Sequence, residues 1–283
     1  PVARADGSHF IAAWHMADPI AKPEARPGKG SHSGIHRNAD PYYDLPQRRV
    51  IKHLVKVAPL RTSSTRGLGA YGNVFAIESF MDELAHAAGM DPIEFRLMHL
   101  TDERAAAVIE AVRDQANTID LVRDDNPLLS YGRGMAFSRY KNAKCYAAVC
   151  VDLSVDLETS NIHLIHAVIA GDAGQIIDPD GLSNQLEGGF IQSASWTLKE
   201  QVLYDADGIT SRDWDSYPIL TFPEIPTVDV ILLDHPESRS LGAGEATQGP
   251  ASAAIANAVS DAVGLRLRDV PFTPERLKKA AAS

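Results

Sequence analysis

The sequence predicts an α+β protein in which mixed sheets pack against helices. Up to about residue 115 apolar residues repeat at the three-to-four spacing of helices, and from Tyr131 they alternate as in strands. These segments do not follow a regular βαβ order, which favours α+β over a parallel-sheet fold. The 283 residues are 45% hydrophobic and 23% charged, a composition typical of a globular protein with one large domain or two ordinary ones.

The first sixty residues contain little periodicity. Residues 7–14 are expected to form the second arm of a hairpin whose first arm is missing, so we interpret the chain as processed, split or part of a longer protein. Residues 17–48 are rich in Pro, Gly and His and are expected to form a long loop or an arm over a neighbour. Residues 50–57 alternate, with Ile51 and Val55 on one side, and predict a strand.

Three helices are expected next. The first begins after Asn73 and ends at Gly89, a residue that favours helix termination. The residues predicted to face the core are Val74, Ile77, Met81, Leu84 and Ala88. Asp91 followed by Pro92 has the pattern of a capping box with proline at the first helical position, so a second helix follows at once. The third is expected at 101–115.

The polar stretch at 117–130 is the expected domain boundary, between a first subdomain at 1–120 and a second at 131–283. Strand patterns and turn residues then alternate with helical segments. The elements expected there are strands at 147–157, 161–170 and 227–233, a hairpin turn at 205–208, and helices at 178–198, at 250–263 and from Thr273.

Charge and cysteine content exclude several classes of function. The chain has 27 basic and 37 acidic residues and a net charge of −10, which argues against a nucleic-acid surface or an anionic membrane face. No run of 18 apolar residues occurs, the length that a membrane-spanning helix needs. Cys145 and Cys150 are expected on opposite faces of one strand and roughly 17 Å apart, so they cannot bridge each other. Two thiolates are also too few for an iron–sulfur cluster.

The ten histidines are interpreted as structural or solvated. His32 and His36 have the spacing of a helical zinc pair, but Ser33 and Gly34 between them predict a loop. The sequence contains no Gly-x-Ser-x-Gly elbow, Walker loop or set of zinc-binding cysteines, which excludes a serine hydrolase, a P-loop protein and a zinc module.

The first candidate site is the segment Arg66-Gly67-Leu68-Gly69. Its glycines allow the main chain to come close to a bound group, and the next helix begins beside it. An arginine beside unpaired N–H groups suits a phosphate or an oxo-anion. The alternative is an ordinary glycine-rich turn before a helix, because glycine motifs alone are weak evidence.

The second candidate is Glu245, which follows Gly244 in a loop of small residues at the start of an alanine-rich helix. A side chain there has room for a substrate or a cofactor. The alternative is an exposed glutamate that stabilises the helix dipole by about 0.3–1 kcal/mol. That environment lowers the pKa of the carboxyl, so a catalytic base would need burial to raise it again.

The third candidate is Gln185, just before the pair Gly188-Gly189 within a helix. Each of these glycines costs about 1 kcal/mol relative to alanine, which suggests that the helix packs closely on another group. Gln185 is the polar residue best placed to meet that group, and Glu187 is expected to be a structural hydrogen-bonding residue. The ordinary explanation is packing of one helix on another.

Taken in order, these segments resemble the molybdenum hydroxylase (xanthine oxidase) family, and within it the large subunits of isoquinoline 1-oxidoreductase and related aldehyde dehydrogenases. The resemblance covers about three quarters of the chain. The motifs that carry it are Arg66-Gly67-Leu68-Gly69, Asn73 to Leu84, Asp91 to Leu97, Gln185-Leu-Glu-Gly-Gly189, Asp215-Ser-Tyr-Pro218, Gly244-Glu245 and Ala256-Asn-Ala258. Leu68 stands where many members have phenylalanine, and Asp178 replaces the usual asparagine before Pro179.

The resemblance implies that both subdomains bind molybdopterin and that a pterin dithiolene holds the molybdenum, with no metal ligand from this chain. It further implies the cytosine dinucleotide form of the cofactor and makes Glu245 the general base of a hydroxylation with water as oxygen donor. Arg66, Gly67, Leu68 and Gly69, together with Gln185 and Gly244, would bind the cofactor. The substrate would be an aldehyde or an N-heteroaromatic compound.

The same resemblance implies partners. The family's other cofactor segments are absent, so they should lie on an N-terminal molybdopterin-binding portion or on a companion subunit. Electrons would leave through iron–sulfur clusters on another subunit, and then pass to cytochrome c or a flavin subunit in some relatives. Two other interpretations stay open: a non-catalytic structural subunit of such a complex, and a free-standing binding module.

Overall fold

The strands of the C-terminal half form one mixed sheet and one small hairpin. The computed structural model describes residues 12, 16–19, 21, 30, 32, 34–55, 60, 64–120 and 123–282. The strands are β1 (Leu129–Arg139), β2 (Tyr146–Asp156), β3 (Ile162–Asp172), β4 (Tyr204–Asp205), β5 (Gly208–Ile209) and β6 (Thr227–Leu232). The sheet has the order β1-β2-β3-β6; β1 to β3 are antiparallel, and β6 runs parallel to β3. The β4–β5 hairpin pairs only with itself.

Six helices occur among the described residues. They are α1 (Ala70–Ala87), α2 (Pro92–Met98), α3 (Glu103–Asn117), α4 (Pro179–Leu198), α5 (Gln248–Val263) and α6 (Pro274–Ala281). Asp91 and Asp102 accept hydrogen bonds from the first backbone amides of α2 and α3, and Gly264 ends α5 with a φ of 69°. The α+β prediction is therefore confirmed, with element ends within a few residues of those expected. No helix of the described part is long and apolar enough to cross a membrane.

Helices cover both faces of the sheet. Alternate residues of β2 point to opposite sides, so Val149 and Val151 join the core under α4 and α5, whereas Ala148 joins the core under α3. The cysteines divide in the same way: Cys145, just before β2, lies in the first core and Cys150 in the second, as predicted. Burial raises the pKa of both thiols to about 12, so both stay neutral.

Helix α5 lies directly on β1 because two glycines of that strand leave room for it. A Cβ added to Gly132 would come within 2.1 Å of the Ala258 carbonyl oxygen, and one added to Gly134 within 2.1 Å of the Ala258 amide nitrogen. The atoms in the way belong to backbone and cannot rotate aside. This contact brings the start of α5, which follows Glu245, to a fixed place beside the sheet.

We therefore expect Gly134→Ala to destabilise the chain by about 1–3 kcal/mol, because helix and strand must separate to admit the methyl group. The measurement is the free energy of unfolding in urea. Gly188→Ala is the matched control: nothing lies within 4 Å of an added Cβ there, and the helix gains up to about 1 kcal/mol from the substitution. Equal stability of the two variants would contradict this account of the packing.

Two expectations for the first ninety residues are wrong. Residues 50–55 form no strand, and Ile51 and Val55 are 55% and 77% exposed, because no neighbouring strand pairs with this segment. Helix α1 begins at Ala70, ahead of Asn73, and Leu84 is 37% exposed on it. The side chains that take its buried face with Val74 and Met81 include Glu78 and Asp82.

The expected hairpin arm at 7–14 lies, apart from residue 12, outside the described residues. The described stretch from 34 to 48 contains one 3-10 turn, Gly34–His36, and neither helix nor strand, as the loop prediction expects. The division at 117–130 stays a prediction; α1 packs against α5 and α3 against β2 and β3.

Candidate active site

The three candidate segments, far apart in sequence, meet at one place. Arg66 lies between them: its Nη2 donates to the carbonyl oxygen and to Oε1 of Gln185, both at 2.9 Å, and its Nε donates to the carbonyl oxygen of Gly244. Gln185 lies on α4, and Gly244 lies in the loop before α5. The loop ahead of α1 is therefore tied to two separate elements by one guanidinium group, which has only donors to offer.

Glu245 is half-buried and faces the backbone of the glycine segment. Its Oε1 accepts a hydrogen bond from the Gly67 amide at 2.9 Å. Gly67 has a φ of +84°, and a Cβ there would come within 3.0 Å of the Gln248 Cβ. A glycine is therefore required at 67 both by its backbone conformation and by the close approach of α5.

The Glu245 carboxyl is poised to stay ionised. Partial burial raises its pKa, but hydrogen bonds from the Tyr140 hydroxyl and the Gly67 amide, with the charges of Arg37 and Lys141, leave the pKa below its ordinary value. Burial in turn lowers the pKa of Arg66, against the opposing effect of the Glu245 charge. The helix-terminus argument predicted this direction for Glu245, and the burial present does not reverse it.

The glycine pair in α4 divides into two roles. A Cβ on Gly189 would lie 2.2 Å from the Thr247 Oγ1 and 3.3 Å from the Arg66 Nη2, whereas nothing lies within 4 Å of one on Gly188. Thr247 Oγ1 also donates to the Leu186 carbonyl oxygen at 3.0 Å. Gly189 thus allows α4 to pack against the start of α5, which is the ordinary explanation for its cost.

The expectation of unpaired N–H groups at 67–69 is wrong for the described residues. The Gly67 amide donates to Glu245, the Leu68 amide to the Thr65 carbonyl oxygen at 3.1 Å, and the Gly69 amide to the Gly34 carbonyl oxygen at 3.2 Å. Folding brings these acceptors to the turn, because buried backbone donors need partners. The donors left for an external group are therefore side chains.

Two side chains on the open side of the site have such donors. Gln185 is exposed, and its amide nitrogen donates to none of the described residues; its Oε1 accepts from Arg66. A Cβ on Gly244 would lie 3.9 Å from the Gln185 amide, so this glycine keeps the entrance small-sided. A guanidinium and an amide donor fit a bound group that has negatively charged or hydrogen-bond-accepting atoms, such as a phosphate.

Three residues near Glu245 were missed by the sequence reasoning. With its amide oriented to satisfy both neighbours, Gln248 accepts from Arg66 Nε at 3.0 Å and donates to the Glu245 carbonyl oxygen at 3.2 Å. Tyr140 faces the Glu245 carboxylate, and Arg37 donates to the Tyr140 hydroxyl. Only Gln248, three residues after Glu245, could have been suspected from its position at the helix start.

Other motif residues lie elsewhere. Asn257 is buried and joins α5 to β1 through a hydrogen bond from its amide to the Met135 carbonyl oxygen at 2.9 Å. Tyr217 donates to Glu200 at 2.8 Å. Among the described residues, no group of three or more His, Cys, Asp or Glu side chains is placed to hold a metal ion.

A mixed sheet covered by helices, with a glutamate, an arginine and glycines brought together from three segments, is the architecture of a cofactor-binding domain. Residues 74–226, more than half of the chain, match a molybdopterin cofactor-binding domain model, and residues 24–100 match a second such model. The chain belongs to the molybdopterin-binding domains of the xanthine oxidase family.

Two relatives place the chain within that family. It is 40% identical over 255 residues to a large chain of the nicotinate dehydrogenase of Pseudomonas putida, covering 86% of this chain and 21% of that protein. It is 29% identical to the beta subunit of the isoquinoline 1-oxidoreductase of Brevundimonas diminuta, covering 82% of this chain and 29% of that protein. The chain thus spans less than a third of the length of these two relatives.

Solved structures confirm the fold. Quinoline 2-oxidoreductase from Pseudomonas putida 86 superposes with a TM-score of 0.69, covering 77% of this chain and 53% of that chain at 13% identity. Aldehyde oxidoreductase from Desulfovibrio gigas superposes with a TM-score of 0.65, covering 78% of this chain and 42% of that chain at 14% identity.

Proposed function

We propose that this chain is the part of a molybdenum-dependent oxidoreductase that holds the molybdopterin cofactor on one side and supplies the catalytic base. The observation that carries the proposal is the convergence of Arg66, Gln185 and Gly244-Glu245, three family motifs, on one half-open site. Bound molybdopterin would supply the redox centre that oxidises the substrate with water as the oxygen donor.

Glu245 is the proposed general base. Its carboxylate is ionised at neutral pH, because its pKa lies below the ordinary value, and it can therefore accept a proton. The hydrogen bond from Gly67 fixes one carboxylate oxygen in place, which limits the reorganisation needed when the proton arrives. The proton would come from the water-derived oxygen that is transferred to the substrate.

The cofactor-binding role falls to Arg66, Gly67, Leu68, Gly69, Gln185 and Gly244. Arg66 and Gln185 offer the side-chain donors, and Gly67 and Gly244 keep side chains out of the space beside them. The cytosine dinucleotide form of the cofactor is part of this proposal. Its phosphates would suit the guanidinium and amide donors.

The substrate we propose is an N-heteroaromatic compound, with an aldehyde as the alternative. Support for the first comes from the names of two relatives, a nicotinate dehydrogenase and an isoquinoline 1-oxidoreductase. Leu68, half-buried beside the site, would offer the substrate an aliphatic contact in place of an aromatic ring.

The partners we propose are a companion subunit or further segment that completes the molybdopterin site, and a subunit with iron–sulfur clusters that removes electrons to cytochrome c or a flavin subunit. Relatives named as subunits of such complexes, several times longer than this chain, support this proposal. A non-catalytic structural role within such a complex is the alternative.

The test is the content of the purified native assembly. We expect molybdenum and a cytosine nucleotide in equal amounts, with iron in excess over both. Arg66→Met is expected to lower the molybdenum and nucleotide content, because the variant loses the donors shared by the three segments. Unfolding temperatures of both forms show whether the variant remains folded.

Arg113→Met is the control for the arginine variant, because Arg113 pairs with exposed Glu94 and Asp114 on α2 and α3. It should keep the full cofactor content. A native assembly without molybdenum would overturn the proposed function. Full cofactor content in a folded Arg66 variant would remove Arg66 from the binding role.

A further inference from the structure

Beside Glu245 lies a tight turn that presents Tyr140. Its residues, Tyr140–Asn142, directly follow β1, and two of them are non-glycine residues in the left-handed region: Lys141 has a φ of 56° and Asn142 a φ of 51°. Such conformations persist only where surrounding contacts impose them, and they concentrate at functional sites. The Tyr140 side chain that this turn presents is only 4% exposed.

The turn is held by Asn38, whose side chain is buried. Its Oδ1 accepts from the Lys141 amide at 2.8 Å, and its Nδ2 donates to the Arg139 carbonyl oxygen at 2.8 Å and to the Asn142 Oδ1 at 3.0 Å. Three hydrogen bonds from one asparagine thus fix the backbone on both sides of Tyr140. The position of the tyrosine ring is therefore built into the fold.

The hydroxyl of Tyr140 lies between a positive and a negative group. Arg37 Nη1 donates to the Tyr140 hydroxyl oxygen at 2.6 Å. A guanidinium can only donate, so the single hydroxyl proton must point elsewhere. The neighbouring acceptor is the Glu245 carboxylate, whose Oε1 already accepts from the Gly67 amide.

Electrostatics agree with this direction of donation. Burial raises the pKa of the Tyr140 hydroxyl, and the hydrogen bond to Glu245 raises it further, against the opposing effect of Arg37. The groups that face the Glu245 carboxylate are Tyr140, Arg37, Lys141 and Arg66. All four carry a proton or a positive charge, so the removal of one of the first three shifts the carboxyl in the same direction.

We propose that Tyr140, oriented by Arg37, is a positioning residue for Glu245: its hydroxyl donates to the carboxylate and holds it, with the Gly67 amide, facing the cleft between Arg66 and Gln185. The catalytic part of this inference rests on the proposed role of Glu245 as base. The structural part, a hydrogen bond between two side chains of this chain, does not.

The test is Tyr140→Phe, read first without turnover. Carbon-13 NMR of the full chain labelled at glutamate carboxyls follows the titration of Glu245, with the signal assigned by its loss in Glu245→Gln. We expect the titration midpoint to move to higher pH in Tyr140→Phe, because the ionised form loses a donor. Tyr42→Phe is the control: Tyr42 donates to another carboxylate, that of Asp102, and its loss should leave the midpoint unchanged.

The second readout is steady-state kinetics of the assembled enzyme with nicotinate as the probe substrate. Tyr140→Phe should lower kcat by about tenfold to a hundredfold, the effect of losing one hydrogen bond to a charged group. KM should change little, and the acid limb of the kcat profile should move to higher pH. Arg37→Gln should shift the same limb in the same direction, which keeps the test decisive if Tyr140→Phe fails to fold.

The outcomes separate the two proposals. An unmoved Glu245 titration in both Tyr140→Phe and Arg37→Gln overturns the positioning role, whatever the rates. A shifted titration with unchanged kcat and an unchanged pH profile also overturns it, because the hydrogen bond would then serve only the fold. Failure of the proposed function is recognised independently, by full turnover in Glu245→Gln.

Discussion

Glu245→Gln is expected to lower the kcat of the assembled enzyme by about 10²–10⁴-fold, the usual contribution of a positioned general base. The amide has nearly the same shape and can still accept the hydrogen bond that Gly67 donates to Oε1, but it cannot take up a proton at neutral pH. Molybdenum content, unfolding temperature and KM should stay close to those of the unchanged enzyme. Steady-state kinetics with a parallel metal analysis measure all of these quantities.

Glu158→Gln is the matched control, because Glu158 is an exposed glutamate in the turn between β2 and β3. It should leave kcat unchanged. Near-normal turnover in Glu245→Gln with molybdenum retained would contradict the role of Glu245 as base and would favour the alternative of a non-catalytic structural subunit. A loss of activity that follows a loss of molybdenum would point to cofactor binding instead.

Arg96→Leu is expected to have the largest effect on stability, a loss of about 3–5 kcal/mol in the free energy of unfolding. The Arg96 side chain is fully buried, and it donates to the carboxylate of Glu78 at 2.8 Å and to the Glu78 and Pro92 carbonyl oxygens at 2.8 and 2.9 Å. Burial lowers the pKa of Arg96, but the facing charge of Glu78 more than offsets it. The substitution leaves a carboxylate buried without its counter-charge.

The remaining partners of Glu78 show why the loss is large. Its carboxylate also accepts from the Tyr43 hydroxyl at 2.6 Å and from the Phe137 amide at 2.9 Å, and so joins α1, α2, β1 and the loop before α1. These neutral donors cannot compensate a whole charge in the interior. Urea unfolding followed by circular dichroism measures the loss.

Two further variants make this expectation decisive. Arg113→Leu removes an exposed ion pair between neighbouring helices and should cost at most about 1 kcal/mol. Glu78→Gln placed in the Arg96→Leu background should recover part of the loss, because no charge then remains buried. A loss no greater than that of Arg113→Leu would show that the buried pair contributes little to stability.

Local patterns were enough to place most elements. Asp91 with Pro92, and Asp178 with Pro179, predicted where α2 and α4 begin, because a carboxylate cap and a proline act within one turn. The strand at 50–57 failed for the opposite reason. Its alternation is local, but a strand exists only if another strand pairs with it.

The polar core was beyond periodicity. The pattern rule assigns Glu78 and Asp82 to the outer face of α1, because carboxylates are seldom buried alone. They are buried here because Arg96 and Arg266, from α2 and from the segment after α5, meet them inside the protein. No single segment contains that information.

The sequence by itself determined the α+β class, most helices and strands, and the identity of three motifs that the family shares. Each of these depends on interactions within a few residues or on residue types in order. The tertiary structure alone decided that Arg66, Gln185 and Glu245 meet, and that Tyr140 and Arg37 join them. The reason is physical: the hydrogen bonds from Arg66 to Gln185 and from Gly67 to Glu245 span 119 and 178 residues of chain, and sheet and helix packing fixes those distances.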